Sequence, residues 1–76
     1  MSRQMKKSNF DIRIRLLLLG KNQRHLREEL GKRGFEVTAP RLSAYIRGVE
    51  SNKYADLIVE KSKEIIKEWE EERNES

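Results

Sequence analysis

The apolar positions of this chain fall into four groups, each spaced to line one face of a helix. In the first, Ile12, Leu16 and Leu19 recur at i, i+4 and i+7. The stretch Asp11–Leu16 also alternates as a half-buried strand would, but the longer spacing favours a helix over residues 9–19. Ser8 or Asn9 suits its N-cap, Asp11 its first turn and Gly20 its exit. Ile14, Leu17 and Leu18 lie on the other side, which predicts a helix covered on more than one face.

The second group is Leu26 and Leu30, preceded by Asn22 as a cap. Gly31 offers an early stop, yet Lys32 and Arg33 suit a last turn and Gly34 a left-handed exit. The predicted end is therefore near Arg33, with Phe35 and Val37 plugging the core from a longer turn. In the third group Leu42, Tyr45 and Ile46 face inward at i, i+3 and i+4, between a Thr38 cap and Gly48. Pro40 sits in the first turn, where its missing N–H loses no partner. Ala39, Pro40, Arg41, Ser43, Ala44 and Arg47 are left on the outer side.

The fourth element starts from Ser51 or Asn52 and runs to about Arg73. Tyr54, Ala55, Ile58, Val59, Ser62, Ile65, Ile66 and Trp69 share one side, a stripe roughly 140° wide against the ~100° of a helix packed on a single core. Asp56, Glu60, Lys63, Lys67 and Glu70 lie opposite, with Glu60–Lys63 and Glu64–Lys67 as i, i+3 pairs. Such a helix outruns a body of ~50 residues. Its apolar stripe therefore predicts a seam with a second copy of the chain, with Ile58, Ile65, Ile66 and Trp69 as the candidate contacts. The expected fold is all-α, four helices with a long C-terminal one. It divides into a basic arm at 1–8, a core at 9–53 and a dimerising helix with a frayed acidic tail at 54–76.

Length and composition narrow the function. Seventy-six residues allow one small domain with a marginal core, for which a partner chain is the natural support. There is no cysteine, so neither disulfides nor thiolate metal sites reinforce it. The longest apolar run, Leu16–Leu19, is far short of a membrane span, and no apolar stretch follows the charged first residues as in a secretory signal. A cytoplasmic protein is the expectation. No nucleophile–base pair, metal-ligand cluster or glycine-rich phosphate loop occurs in the sequence, and His25 has no second ligand nearby. The expected protein is thus not an enzyme and holds no cofactor or metal.

Charge changes the picture more than composition does. The net charge is +4, but residues 1–53 carry 13 Lys/Arg against 5 Asp/Glu, while residues 54–76 carry 4 against 8. A basic body with an acidic tail suits a polyanion-binding surface on one part and a different task for the other. Two short helices joined by a turn, the second with a basic outer face, are what reading the major groove of duplex DNA requires.

The segment Gly20–Gly31, GKNQRHLREELG, resembles the first half of a lambda-repressor-like (Cro-like, Xre-like) helix-turn-helix. In that family a Gly-x-[Thr/Ser]-Gln sequence opens the first helix and Leu-Gly closes it. Val37–Gly48, VTAPRLSAYIRG, resembles the second half, where an apolar residue and a capping hydroxyl precede the recognition helix. The resemblance covers about residues 12–48, and Asn22 stands where the family more often has a hydroxyl. Five residues, Lys32–Glu36, extend the turn beyond the usual tight one.

The resemblance implies a sequence-specific, double-stranded-DNA-binding transcriptional regulator of phage or mobile-element type, a repressor acting as a homodimer. It places Thr38, Arg41, Ser43 and Ala44 where base edges are read, Arg41 being suited to guanine and Ala44 to a thymine methyl. Lys21, Gln23, Arg24 and Arg47 fall where phosphates are held. Arg3, Lys6 and Lys7 correspond to a basic arm that wraps the duplex. Ala39 and Pro40 occupy positions that often carry base-reading side chains, and neither can donate a side-chain hydrogen bond. The rival expectation is an antirepressor or modulator that binds another regulator protein through the same scaffold, and the acidic fourth helix favours it.

Overall fold

In a computed structural model of the chain, residues 10–75 are described; the predicted arm, with Arg3, Lys6 and Lys7, and the Ser8 or Asn9 cap lie outside them. Four helices follow in order: α1 (Phe10–Leu18), α2 (Gln23–Lys32), α3 (Ala39–Arg47) and α4 (Lys53–Glu75). No strand occurs among the described residues, so the alternating reading of Asp11–Leu16 gives way to the helical one.

Local chemistry explains where each element starts. The Asn22 side chain accepts from the His25 amide at 3.1 Å, and the Asn22 amide donates to His25 Nδ1 at 3.2 Å. This reciprocal box satisfies two amides at the start of α2, and it gives His25 a capping role. Thr38 Oγ1 accepts from the Arg41 amide at 3.3 Å to open α3, and Asn52, rather than Ser51, opens α4 by accepting from the Ala55 amide at 2.7 Å.

The ends of α2 and α3 share one device. The Phe35 amide donates to the Leu30 carbonyl and the Gly34 amide to that of Gly31; Val49 and Gly48 repeat the pattern on Ala44 and Tyr45. The motif puts its glycine in the left-handed region, at φ +91° for Gly34 and +79° for Gly48, where a Cβ would be strained. The five extra residues are thereby accounted for. They finish α2, make its exit, and turn Phe35 onto the core, where Val37 also packs.

α4 packs against all three other helices, and α3 also packs against α1 and α2. One cluster runs through the molecule and joins Ile12 and Leu16 of α1, Leu26 and Leu30 of α2, Leu42, Tyr45 and Ile46 of α3, and Ala55, Ile58, Ile65 and Ile66 of α4. Ser62 is also fully buried, its hydroxyl bonded to the Ile58 carbonyl at 2.7 Å, so the small polar side chain brings no unpaired group into the core.

This arrangement corrects the expectation of a dimer seam on the fourth helix. Ile58, Ile65 and Ile66 are each 0 % exposed within a single chain and have no surface to offer a second copy. Trp69 is half-buried against the same core, with the Lys21 ammonium 4.8 Å from its ring centroid. The reason is the placement of α1. It does not merely cap the body but covers the distal part of α4, where Arg15 reaches Glu70 and Arg73 donates to the Leu18 carbonyl. The wide stripe on α4 thus faces three helices of its own chain instead of one core and a twin.

α1 differs from expectation in the opposite sense. Its second side is not covered: Ile14, Leu17 and Leu18 are 43, 75 and 68 % exposed. These three, at i, i+3 and i+4, form an apolar face that the described residues leave exposed.

Candidate nucleic-acid interface

The third helix turns its apolar side, Leu42, Tyr45 and Ile46, fully into the core. That orientation fixes what remains outside. Thr38, Ala39, Pro40, Arg41 and Arg47 are exposed, and Ser43 and Ala44 are half-buried. The cationic flank of α3 is therefore at the surface and is not covered by α4.

Arg41 is the most constrained of these residues. Its guanidinium lies 3.3 Å from the Glu50 carboxylate, just beyond the end of α3. The Tyr45 phenol, and after it the Glu50 carboxylate, hold the Arg41 guanidinium above its ordinary pKa, so it is a permanent cation. Thr38 Oγ1 is engaged as an acceptor by the Arg41 amide, which leaves the hydroxyl proton free to donate outward. Arg41 and Thr38 thus sit side by side on the first turn of α3. Arg47 stands at the other end of the same helix, in its last turn.

The phosphate-contact candidates at the start of α2 are in different states. Arg24 is highly exposed and pairs at 3.5 Å with Glu28, its i+4 neighbour. Gln23 is half-buried in the first turn. Lys21 is half-buried in the α1–α2 turn with its ammonium over Trp69, so it serves first to join that turn to α4.

Sequence reasoning passed over Arg27. It lines an open groove of about 510 Å³ together with Gly31, Glu36, Val37, Thr38, Arg41 and Tyr54. Its Nε is buried and makes no hydrogen bond. Tyr54 closes one side of the groove and donates its hydroxyl to the Glu36 carbonyl at 2.7 Å, fastening the extended turn to α4. A signal was present in the sequence. Arg24 has Glu28 and Arg33 has Glu29 one helical turn away, but Arg27 has Gln23, Arg24, Leu30 and Gly31 at those spacings, and no carboxylate. Glu50, the partner of Arg41, carried no comparable signal, because its position follows from the turn after Gly48.

Comparison with family models, curated proteins and solved structures gives no match to this chain. Among the described residues no cluster of ligands suited to a metal ion occurs, and no helix is long and apolar enough to cross a membrane.

Proposed function

We propose that this chain is a lambda-repressor-like transcriptional regulator that binds double-stranded DNA, with α3 entering the major groove and α2 lying across the backbone. The observation that carries this reading is the exposure of Thr38, Arg41 and Arg47 along one short helix whose other side is locked in the core. The surrounding body is strongly basic, with 13 Lys/Arg against 5 Asp/Glu in residues 1–53. Arg41 would read guanine through two hydrogen bonds, and Arg24 and Arg47 would neutralise phosphates. A homodimer would set the spacing of two half-sites, and its seam would be the exposed α1 face of Ile14, Leu17 and Leu18, not the buried stripe of α4.

The test is a titration of labelled random and palindromic duplexes at several salt concentrations. Affinity should fall steeply and log-linearly with salt, as it does when several phosphates are neutralised. Absence of any complex at micromolar protein and low salt would overturn the reading.

A second reading is favoured by the same α1 face together with the Arg41–Glu50 pair. An exposed apolar face and a neutralised reading arginine suit a modulator that docks on another regulator protein. A salt-insensitive complex with a protein partner, and none with DNA, would select it.

A further inference from the structure

We propose that the groove at the elbow between α2 and α3 is a phosphate site, with Arg27 as its principal ligand. The inference deepens the reading of α3 as a DNA-binding helix and, for the duplex as the source of the phosphate, rests on it. Three observations meet in this groove. The Arg27 Nε–H is out of solvent and has no hydrogen-bond acceptor, an uncommon state for a charged group's donor. No ion pair joins Arg27 to any described residue, whereas Arg15, Arg24, Arg33 and Arg41 each have a carboxylate within 4.0 Å. And the groove is open at Gly31, one turn along α2 from Arg27, where a built Cβ would meet nothing within 4 Å.

The groove lining selects for an anion. It contains two guanidinium groups, of which that of Arg41 is already paired with Glu50, so that of Arg27 is the unpaired cation facing the exposed carboxylate of Glu36. The Thr38 hydroxyl has its oxygen occupied by the Arg41 amide, so toward a ligand it acts as a donor. The Tyr54 hydroxyl is committed to the Glu36 carbonyl, and its ring forms a wall instead of a ligand. The backbone start of α3 adds little, because Pro40 has no N–H and the Arg41 amide is taken by Thr38. Recognition therefore falls to side chains, and a tetrahedral oxyanion accepting from Arg27 and Thr38 matches the donors present.

The groove also opens beside the turn of α3 that carries Arg41. A backbone phosphate held there would fix the register of α3 against the duplex without reading sequence. Inorganic phosphate presents the same oxyanion, so the two sources share one chemistry and are separated by experiment.

The test uses the full chain and the variants Arg27→Gln, Arg27→Lys and, on the far side of α4, Lys63→Gln as a charge-matched control, each checked for native helicity. Two readouts are taken: duplex affinity as a function of salt, and the NMR signal of the Arg27 Nε–H on addition of inorganic phosphate against chloride. The expected result is that Arg27→Gln weakens binding to all duplexes alike and lowers the salt slope by about one. Arg27→Lys should restore the slope but not the full affinity, and Lys63→Gln should match the parent. If the parent binds duplex and Arg27→Gln binds it with the same affinity and slope, while phosphate leaves the Nε–H signal unmoved, the phosphate site is refuted and the reading of α3 stands. If no duplex binds but phosphate shifts that signal saturably, the site holds a free phosphate and the DNA reading fails. If neither readout responds, both fall.

Discussion

Arg15 of α1 grips Glu70 of α4 with two parallel hydrogen bonds, Nε to Oε2 at 2.9 Å and a terminal nitrogen to Oε1 at 2.8 Å. The two residues are 55 positions apart in the chain, so this fork ties its first helix to its last. Planar, bidentate pairing of this kind is the geometry in which an arginine–carboxylate pair contributes measurably even when partly solvated. With both side chains about one-third exposed, a contribution of about 1 kcal/mol is expected. Arg15→Met should lower stability by that amount in urea titration, and Glu70→Gln, which leaves Arg15 without its charged partner, by a similar amount. A double variant that loses the full sum of the two single losses would show that the pair is not coupled.

Acid should weaken the attachment of α4 at two places. The Arg15 guanidinium holds the Glu70 carboxyl below its ordinary pKa, and Arg33, reaching Glu68 at 2.6 Å, does the same for the Glu68 carboxyl. A carboxylate whose pKa is lower folded than unfolded adds stability above the unfolded value and loses it as pH falls through the folded one. The arginines stay charged throughout. The melting temperature should therefore be flat near neutrality and decline as pH drops below about 4.3, the ordinary value for glutamate. Glu68→Gln/Glu70→Gln should start lower at pH 7 and decline less on acidification. Parallel curves for parent and variant would rule the two carboxylates out as the cause.

Gly34 offers a test of the extended turn. Its φ of +91° lies where an L side chain is strained even though the space around it is empty. Gly34→Ala should cost about 1–2 kcal/mol of folding stability by denaturant titration. Gly31, the last residue but one of α2, has an ordinary helical backbone and equally open surroundings. There Gly31→Ala should stabilise by about 0.5–1 kcal/mol, because alanine loses less backbone entropy on entering a helix. The two substitutions are chemically identical and three residues apart, so opposite signs would isolate backbone conformation as the cause.

Much of the fold was legible in the sequence because its helices begin and end on side chains that act locally. Asn22, Thr38, Gly34 and Gly48 mark their boundaries whatever packs around them, and the inward faces of α2 and α3 follow from spacing alone. The fate of α4 was not legible in this way. A stripe of Ile58, Ile65, Ile66 and Trp69 announces burial, but periodicity does not say by which chain, and that depends on where α1 lies. The same ambiguity hid the exposed side of α1, since Leu17 and Leu18 are as apolar as Leu16. Of the candidate interface, the outward position of Arg41 and Arg47 follows from the burial of Leu42, Tyr45 and Ile46. The neutralisation of Arg41 by Glu50 depends on the path of the chain after Gly48 and could not be read beforehand.

Substitutions on α4 and α1 should consequently affect different properties. Ile65 is fully buried, so Ile65→Ala should remove about 2–4 kcal/mol of stability through the cavity it leaves, a large share of what a small domain possesses. Leu17→Gln/Leu18→Gln should change folding stability by only about 0.5 kcal/mol, since both side chains are already in solvent. If the chain self-associates through α1, that double variant should sediment as a monomer while retaining its melting temperature. A variant pair as oligomeric as the parent would exclude the α1 face as the seam.

The pairing of Arg41 with Glu50 bears directly on the proposed DNA contact. A guanidinium held 3.3 Å from a carboxylate must exchange that partner for a base edge, and Glu50 itself repels the approaching phosphates. Glu50→Gln should therefore raise duplex affinity several-fold at low salt, with the gain shrinking as salt screens the lost repulsion. Arg41→Ala should cost about 1–3 kcal/mol on the preferred duplex and less on others, so that discrimination narrows along with affinity. In the Glu50→Gln background the cost of Arg41→Ala should be larger than in the parent, because the arginine no longer leaves an internal partner to reach the base. If Glu50→Gln weakens binding, the carboxylate orients Arg41 instead of competing for it. If Arg41→Ala weakens all duplexes equally, Arg41 holds the backbone and sequence is read elsewhere on α3.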